Sequence, residues 1–177
     1  MGDAKAYTVL QDANGISKFL RTNVSENIRV FDAGGSCKGV KDCVAIPLIK
    51  GELKPTSRVR DIWFSSVIKR TDFPVRRAVY STLPTKAIRD PDLQSPTAWN
   101  KSIMLHYNGK RFAEVMERSI FTLAARGFGR TSFRMYEAIQ SGSIPVYVWD
   151  DVEWLPYRDV QGFRWTDIGL SFRNRLI

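Results

Sequence analysis

Arg126-Gly127-Phe128-Gly129-Arg130-Thr131-Ser132-Phe133-Arg134 gathers three guanidinium groups, two glycines and two hydroxyls, and a carboxylate, Glu137, follows three residues later. Guanidinium forks match phosphate oxygens two at a time, so Arg126, Arg130 and Arg134 suit a diphosphate. Glycines let the backbone approach a ligand. If a helix starts at Ser132, the amides of Thr131, Ser132 and Phe133 add donors at its positive end. Helical spacing puts Arg130, Arg134, Glu137 and Ser141 on one stripe and Met135, Ala138, Ile139 and Gly142 on another. The polar stripe suits a cleft and the apolar one a sheet. Glu137 is then placed to accept hydrogen bonds from vicinal hydroxyls such as a ribose. Equally, Arg134 and Glu137 read as an exposed i, i+3 ion pair of little energetic worth. A rival reading takes Gly127-x-Gly129-x-x-Ser132, with Asp150 about twenty residues on, as a dinucleotide fingerprint. Against it, Ser132 replaces the third glycine, and the turn lies too late in the chain for a six-stranded sheet to follow.

The elements that must carry these residues can be read outward from the turn. Ile120–Ala125 (IFTLAA) predicts a strand, Ser132–Ser141 a helix and Ile144–Trp149 a second strand. Upstream, Asp61–Ile68 (DIWFSSVI) predicts a strand and Val75–Leu83 a helix, with Thr71 or Asp72 as cap and Pro74 in its first turn. Residues 84–100 read as a surface loop and Arg111–Arg118 as a helix. Strands alternating with helices argue for βαβ units, and continuous apolar runs for parallel strands buried on both faces. Before residue 50 the pieces are short: Ile16–Arg21 helical, Ile28–Asp32 a strand, Ala33–Ser36 a turn and Cys43–Ile49 an apolar stretch bounded by Pro47. The polar segment Gly51–Ser57 reads as a linker.

Composition narrows the classes. The chain has 177 residues, 44% hydrophobic, with 27 Lys+Arg against 18 Asp+Glu, a net charge of +9. That balance favours anionic partners. No Lys/Arg block reaches five, which argues against a nucleic-acid tail, and no apolar run is long enough to span a membrane. The first ten residues lack the pattern of a signal peptide. Cys37 and Cys43 either close a small loop or stay free, and with His106 as the single histidine no Cys/His zinc site can form. Asn23-Val24-Ser25 and Asn100-Lys101-Ser102 fit the glycosylation pattern. His106 reads as structural or surface rather than as a base, Asp150-Asp151 as a strand-end turn, and Arg76-Arg77 as a solvated helix face. Trp149 and Trp154 read as core or cleft-wall aromatics.

The run RGFGRTSFRMYEAIQSGSIPVYVWDDVEWLP resembles the signature of exostosin-type glycosyltransferases. The matching positions are Arg126, Gly127, Gly129, Ser132, Phe133, Arg134, Glu137, Ala138, Gly142, Ile144, Pro145, Val146, Leu155 and Pro156. The resemblance is strong over residues 112–160. It extends upstream through IPLI, DIWFSSVIKR and FPVRRAVYSTL, with Ser65-Ser66 where relatives usually carry a glycine. It implies an α/β fold: a Rossmann-like parallel sheet with flanking helices, the C-terminal half of a GT-B architecture. Residues 1–55 would be a remnant of the N-terminal domain plus linker, and 56–177 a nucleotide-sugar-binding domain incomplete at its C-terminus. The resemblance further implies inverting transfer from a nucleotide-sugar, usually a UDP-sugar, to a glycan, in the Golgi lumen or in association with its membrane, with no metal or other cofactor. Carried over by position, the donor site is Arg126, Gly127, Gly129, Arg130, Thr131, Ser132, Arg134 and Glu137. Arg126, Arg130, Ser132 and Arg134 would hold the diphosphate side and Glu137 the ribose. No general base is assigned. The rivals are a non-catalytic nucleotide- or glycan-binding module and a dinucleotide-binding Rossmann domain.

Overall fold

A computed structural model describes residues 6–12, 15–16, 27–35, 37, 40–56, 59–69, 73–94, 103–158 and 160–175. Strands β1 (Ala6–Leu10), β2 (Ile28–Asp32) and β3 (Cys43–Ala45) form a parallel three-stranded sheet in that order. The larger sheet contains β4 (Ile62–Ser66), β5 (Thr85–Ile88), β6 (Met104–Tyr107), β7 (Ser119–Ala125), β8 (Ile144–Trp149) and β9 (Leu170–Arg173). Its order is β5-β6-β4-β7-β8-β9 and every pairing is parallel. Helices α1 (Pro74–Thr82), α2 (Phe112–Glu117) and α3 (Phe133–Gln140) make the crossovers. The fold is α/β and Rossmann-like, as expected.

β7 shows how sequence sets the layers. Side chains alternate across a strand, so Leu123 and Ala125 pack with Val75 and Val79 of α1 on one face, while Ala124 packs with Met135 of α3 on the other. The strand is therefore apolar almost throughout. A third cluster joins Ile62, Val67, Leu105, Val115 and Met116 beneath α2. Each such large side chain contributes roughly 1.5–3 kcal/mol on burial. Hydroxyls cross the sheet in a buried seam: Ser119 Oγ donates to Ser65 Oγ at 2.7 Å, and Thr122 Oγ1 lies 2.7 Å from Ser143 Oγ. The seam explains how polar side chains are accommodated in central strands.

Several expectations need correction. Residues 84–100 are not simply loop: β5 and a 3-10 turn at Asp90–Gln94 lie within them, and 95–100 fall outside the described residues. β5 is a four-residue edge strand with two exposed positions, too short and polar to show a pattern. β1, β6 and β9 were not anticipated either. The Cys43–Ile49 strand stops at Ala45, consistent with Pro47 lacking a ladder donor. The N-cap of α1 is Phe73, in extended conformation without a side-chain cap, and Pro74 presets the first turn. Thr71 and Asp72 lie outside the described residues, as do most of Ile16–Arg21 and both glycosylation tripeptides. The linker segment is strapped down: Leu53 N donates to Gln140 Oε1, and Thr56 N and Oγ1 both donate to Glu117 Oε2 at 3.1 Å. Among the described residues no helix is long and apolar enough to cross a membrane.

Candidate functional site

Crossovers leave β4 toward β5 and β6 on one side and leave β7 toward β8 and β9 on the other. The carboxyl ends of β4 and β7 therefore flank the point where the sheet order reverses, the place where open α/β sheets bind ligands. A cavity of about 430 Å³ opens there. Its walls come from three sources: the ends of β4 (Ile68, Lys69), the turn from β7 into α3 (Gly127–Gly129, Thr131–Arg134) and the small sheet's side (Gly34, Lys50). Arg76 of α1 completes it.

Four cations, Lys50, Lys69, Arg76 and Arg134, line this cavity, and no acidic side chain among the described residues does. Burial lowers the Arg76 guanidinium from its ordinary value. Tyr80 opposes this, while the Arg134 charge depresses it further. Two like charges turned toward one cavity without a carboxylate between them favour an anionic ligand. Ser132 caps α3, its Oγ accepting from Arg134 N at 3.3 Å, so the helix begins at the cavity wall.

The turn is held by close packing. Gly34 has φ +131°, and a Cβ there would lie 2.3 Å from Thr131 Cγ2. Only glycine lets the small sheet's loop reach the turn, where Arg130 N donates to Gly34 O at 2.6 Å. Thr131 Oγ1 lies 3.2 Å from the Tyr136 hydroxyl, which burial pushes up to about 12. Tyr147 OH donates to Arg130 O at 2.5 Å.

The anticipated residues separate into two groups. Gly127, Gly129, Thr131, Ser132 and Arg134 line the cavity. Arg126, Arg130 and Glu137 do not; Arg126 pairs with Asp150 at 2.7 Å and with Asp151, and Arg130 Nε donates to Asp151 Oδ2 at 3.1 Å. These pairs brace the turn against the end of β8. Burial raises the Asp151 carboxyl, but the Val152 amide and the two guanidiniums outweigh it and hold the group below its ordinary value.

Glu137 does not fit the reading of an exposed ion pair. Its side chain is 0% exposed, so its pair with Arg134 is no surface contact. Lys50 Nζ lies 2.8 Å from Oε1, and Arg134 contacts Oε2. Arg134 also donates to Val67 O and lies over the Phe112 ring at 4.3 Å. The apolar stripe of α3 holds at Met135 and Ala138, but Ile139 is partly exposed.

Sequence reasoning missed Lys50, Lys69 and Arg76. Arg76 was assigned to a solvated face, yet its guanidinium donates to Arg126 O at 3.2 Å, and a Cβ at Gly127 would meet it at 2.7 Å. The available signal was α1's position directly after β4. His106, read as structural or surface, is buried, with Nδ1 2.8 Å from the Tyr80 hydroxyl, which also lies 2.5 Å from Ser66 Oγ. Cys37 and Cys43 are joined in a disulfide beside the Gly34 loop. The Gly127 turn follows the fourth strand of the sheet in chain order rather than its first, so the dinucleotide fingerprint lacks its context.

A family model, the Exostosin GT47 domain, matches residues 21–177. A probable glucuronosyltransferase of Oryza sativa subsp. japonica is 26% identical over 170 residues, a match taking in 92% of this chain and 38% of that protein. The chain thus spans well under half the length of that relative.

Proposed function

The chain belongs to the exostosin GT47 family, a glycosyltransferase family, and from that premise we propose that it forms the donor-binding half of an inverting enzyme. The donor is a UDP-sugar and the acceptor a glycan. Residues 56–177 form the nucleotide-sugar domain and residues 1–55 belong to the acceptor-side domain and its linker. One observation carries this reading: a cavity at the reversal point of a parallel sheet, ringed by four cations with no acidic lining among the described residues.

The chemistry follows from charge. As the sugar departs, negative charge grows on the diphosphate, and cations fixed around it lower the barrier without having to reorganise. Lys69, Arg76 and Arg134, with the Thr131, Ser132 and Phe133 amides, form that cradle, and Gly127 and Gly129 let the chain lie close against it. Arg126 and Arg130 support the turn from behind through Asp150 and Asp151. Glu137 takes the ribose hydroxyls. Because the protein supplies the positive charge, binding needs no divalent ion. Similarity to a probable glucuronosyltransferase of rice supports a glycosyl donor, and the Cys37–Cys43 disulfide fits an oxidising compartment such as the Golgi lumen.

Calorimetry with UDP, with and without a chelator, tests the reading. Binding unaffected by the chelator is expected. A folded sample that does not bind UDP, or binds it only with a divalent ion, overturns the assignment.

A further inference from the structure

Glu137 has no exposed surface, so no ligand reaches its carboxylate until a neighbour moves. Arg134 is fixed by three contacts: Glu137, Val67 O and the Phe112 ring. Lys50 is different. It follows the small sheet on an extended segment, its side chain is 39% exposed, and its ammonium stands 5.1 Å from the Phe133 ring centroid and 2.8 Å from Glu137 Oε1. Lys50 also lines the cavity. It is the most exposed member of the triad, in contact with the buried carboxylate and bordering the cavity.

We propose that Lys50 is a donor-sensing positioning residue whose ammonium alternates between the Glu137 carboxylate and the diphosphate of a bound nucleotide; this rests on the donor-site reading above. Ribose hydroxyls can satisfy Glu137 only by displacing Lys50, and the displaced ammonium then needs an anion. A ligand with ribose but no phosphate separates the pair without compensation. A diphosphate without ribose must draw Lys50 from a buried carboxylate. UDP satisfies both groups at once, so its two halves bind cooperatively through one side chain. The exchange also selects against free nucleoside and free diphosphate, and it brings a charge from the small sheet's side into the site only when the donor is whole.

Dissociation constants for uridine, inorganic diphosphate and UDP, measured by calorimetry on the full chain, test this with Lys50→Met, Glu137→Gln and their combination. Lys50→Met should bind uridine about tenfold more tightly and UDP more weakly, tenfold being the low end of a charge-assisted contact. Glu137→Gln should bind inorganic diphosphate more tightly, and that gain should vanish in the double variant. Lys50→Gln, which removes the charge but keeps a polar amide beside Glu137, serves if Lys50→Met does not fold. Uridine affinity unchanged or weakened by loss of Lys50, or a diphosphate gain that persists in the double variant, overturns the proposal. Wild-type protein that binds no UDP removes the donor-site reading itself. Wild-type binding without the opposed shifts removes only the role of Lys50.

Discussion

A carboxylate with no exposed surface needs cations packed against it, and removing one partner of such a cluster usually costs more than the cluster contributes. Glu137 meets that condition through Lys50 and Arg134. Glu137→Ala leaves two cations facing each other and should lower stability by about 3 kcal/mol, or roughly 6–12 °C in Tm, read by thermal melting. A mere surface pair would cost less than about 1 kcal/mol, so a Tm change within about 2 °C refutes the buried-cluster account. Arg134→Ala makes a different prediction. On the proposed donor-site reading it loses a diphosphate contact, so UDP affinity should fall by about one to two orders of magnitude while uridine affinity changes much less. Equal losses for the two ligands would mean that Arg134 acts through the fold rather than on phosphate.

At the scale of elements, the same substitution should have opposite meanings at two glycines of the turn region. Gly34→Ala forces a side chain onto φ +131° and into Thr131, whose backbone N would lie 3.0 Å from the new Cβ. Neither can yield cheaply, so stability should fall by more than about 1 kcal/mol. Gly127→Ala meets only the far end of Arg76. That side chain can swing, so Tm should hold while UDP affinity drops as the guanidinium leaves the cavity. A melting curve and one titration on each variant separate the two. This contrast also explains what could be read from the sequence. β7, α3 and β8 were legible because burial on both sheet faces leaves continuous apolar runs, and Ser132 capping α3 is a local signal. β5 and β6 were not: four residues each, one exposed at the edge and one carrying His106, they are strands only by virtue of their neighbours. Lys50 and Arg76 join the site through the packing of separate elements, which spacing along the chain does not reveal. The same holds for Arg126 and Arg130, held away from the cavity by Asp150 and Asp151, aspartates about twenty residues away.

Across the whole molecule, the excess of positive charge must be balanced at the joints that keep the sheet and its crossovers together. Arg118, just after α2, is one such joint. It donates through Nε to Asp61 Oδ1 at 2.8 Å and through Nη1 to Leu93 O at 2.6 Å, tying the start of β4 to two crossover segments. The hydrogen bond from Arg118 holds the Asp61 carboxyl below its ordinary value against the opposing effect of burial. A group depressed in the folded state contributes its full stabilisation above the unfolded carboxylate value, near 3.9. The contribution disappears as pH falls through the lower folded value, because the unfolded chain takes up the proton first. Thermal melts of wild-type protein should therefore lose Tm steeply below about pH 4. Asp61→Asn, which keeps an acceptor oxygen but cannot ionise, should start with a lower Tm at pH 7 and decline less between pH 4 and pH 2. Its curve should approach that of the wild type in acid. Asp151 shifts in the same direction, so the variant should flatten the profile without abolishing its slope. Parallel curves for the two proteins would show that the Asp61–Arg118 joint contributes nothing specific, and that acid unfolding follows from accumulated positive charge alone.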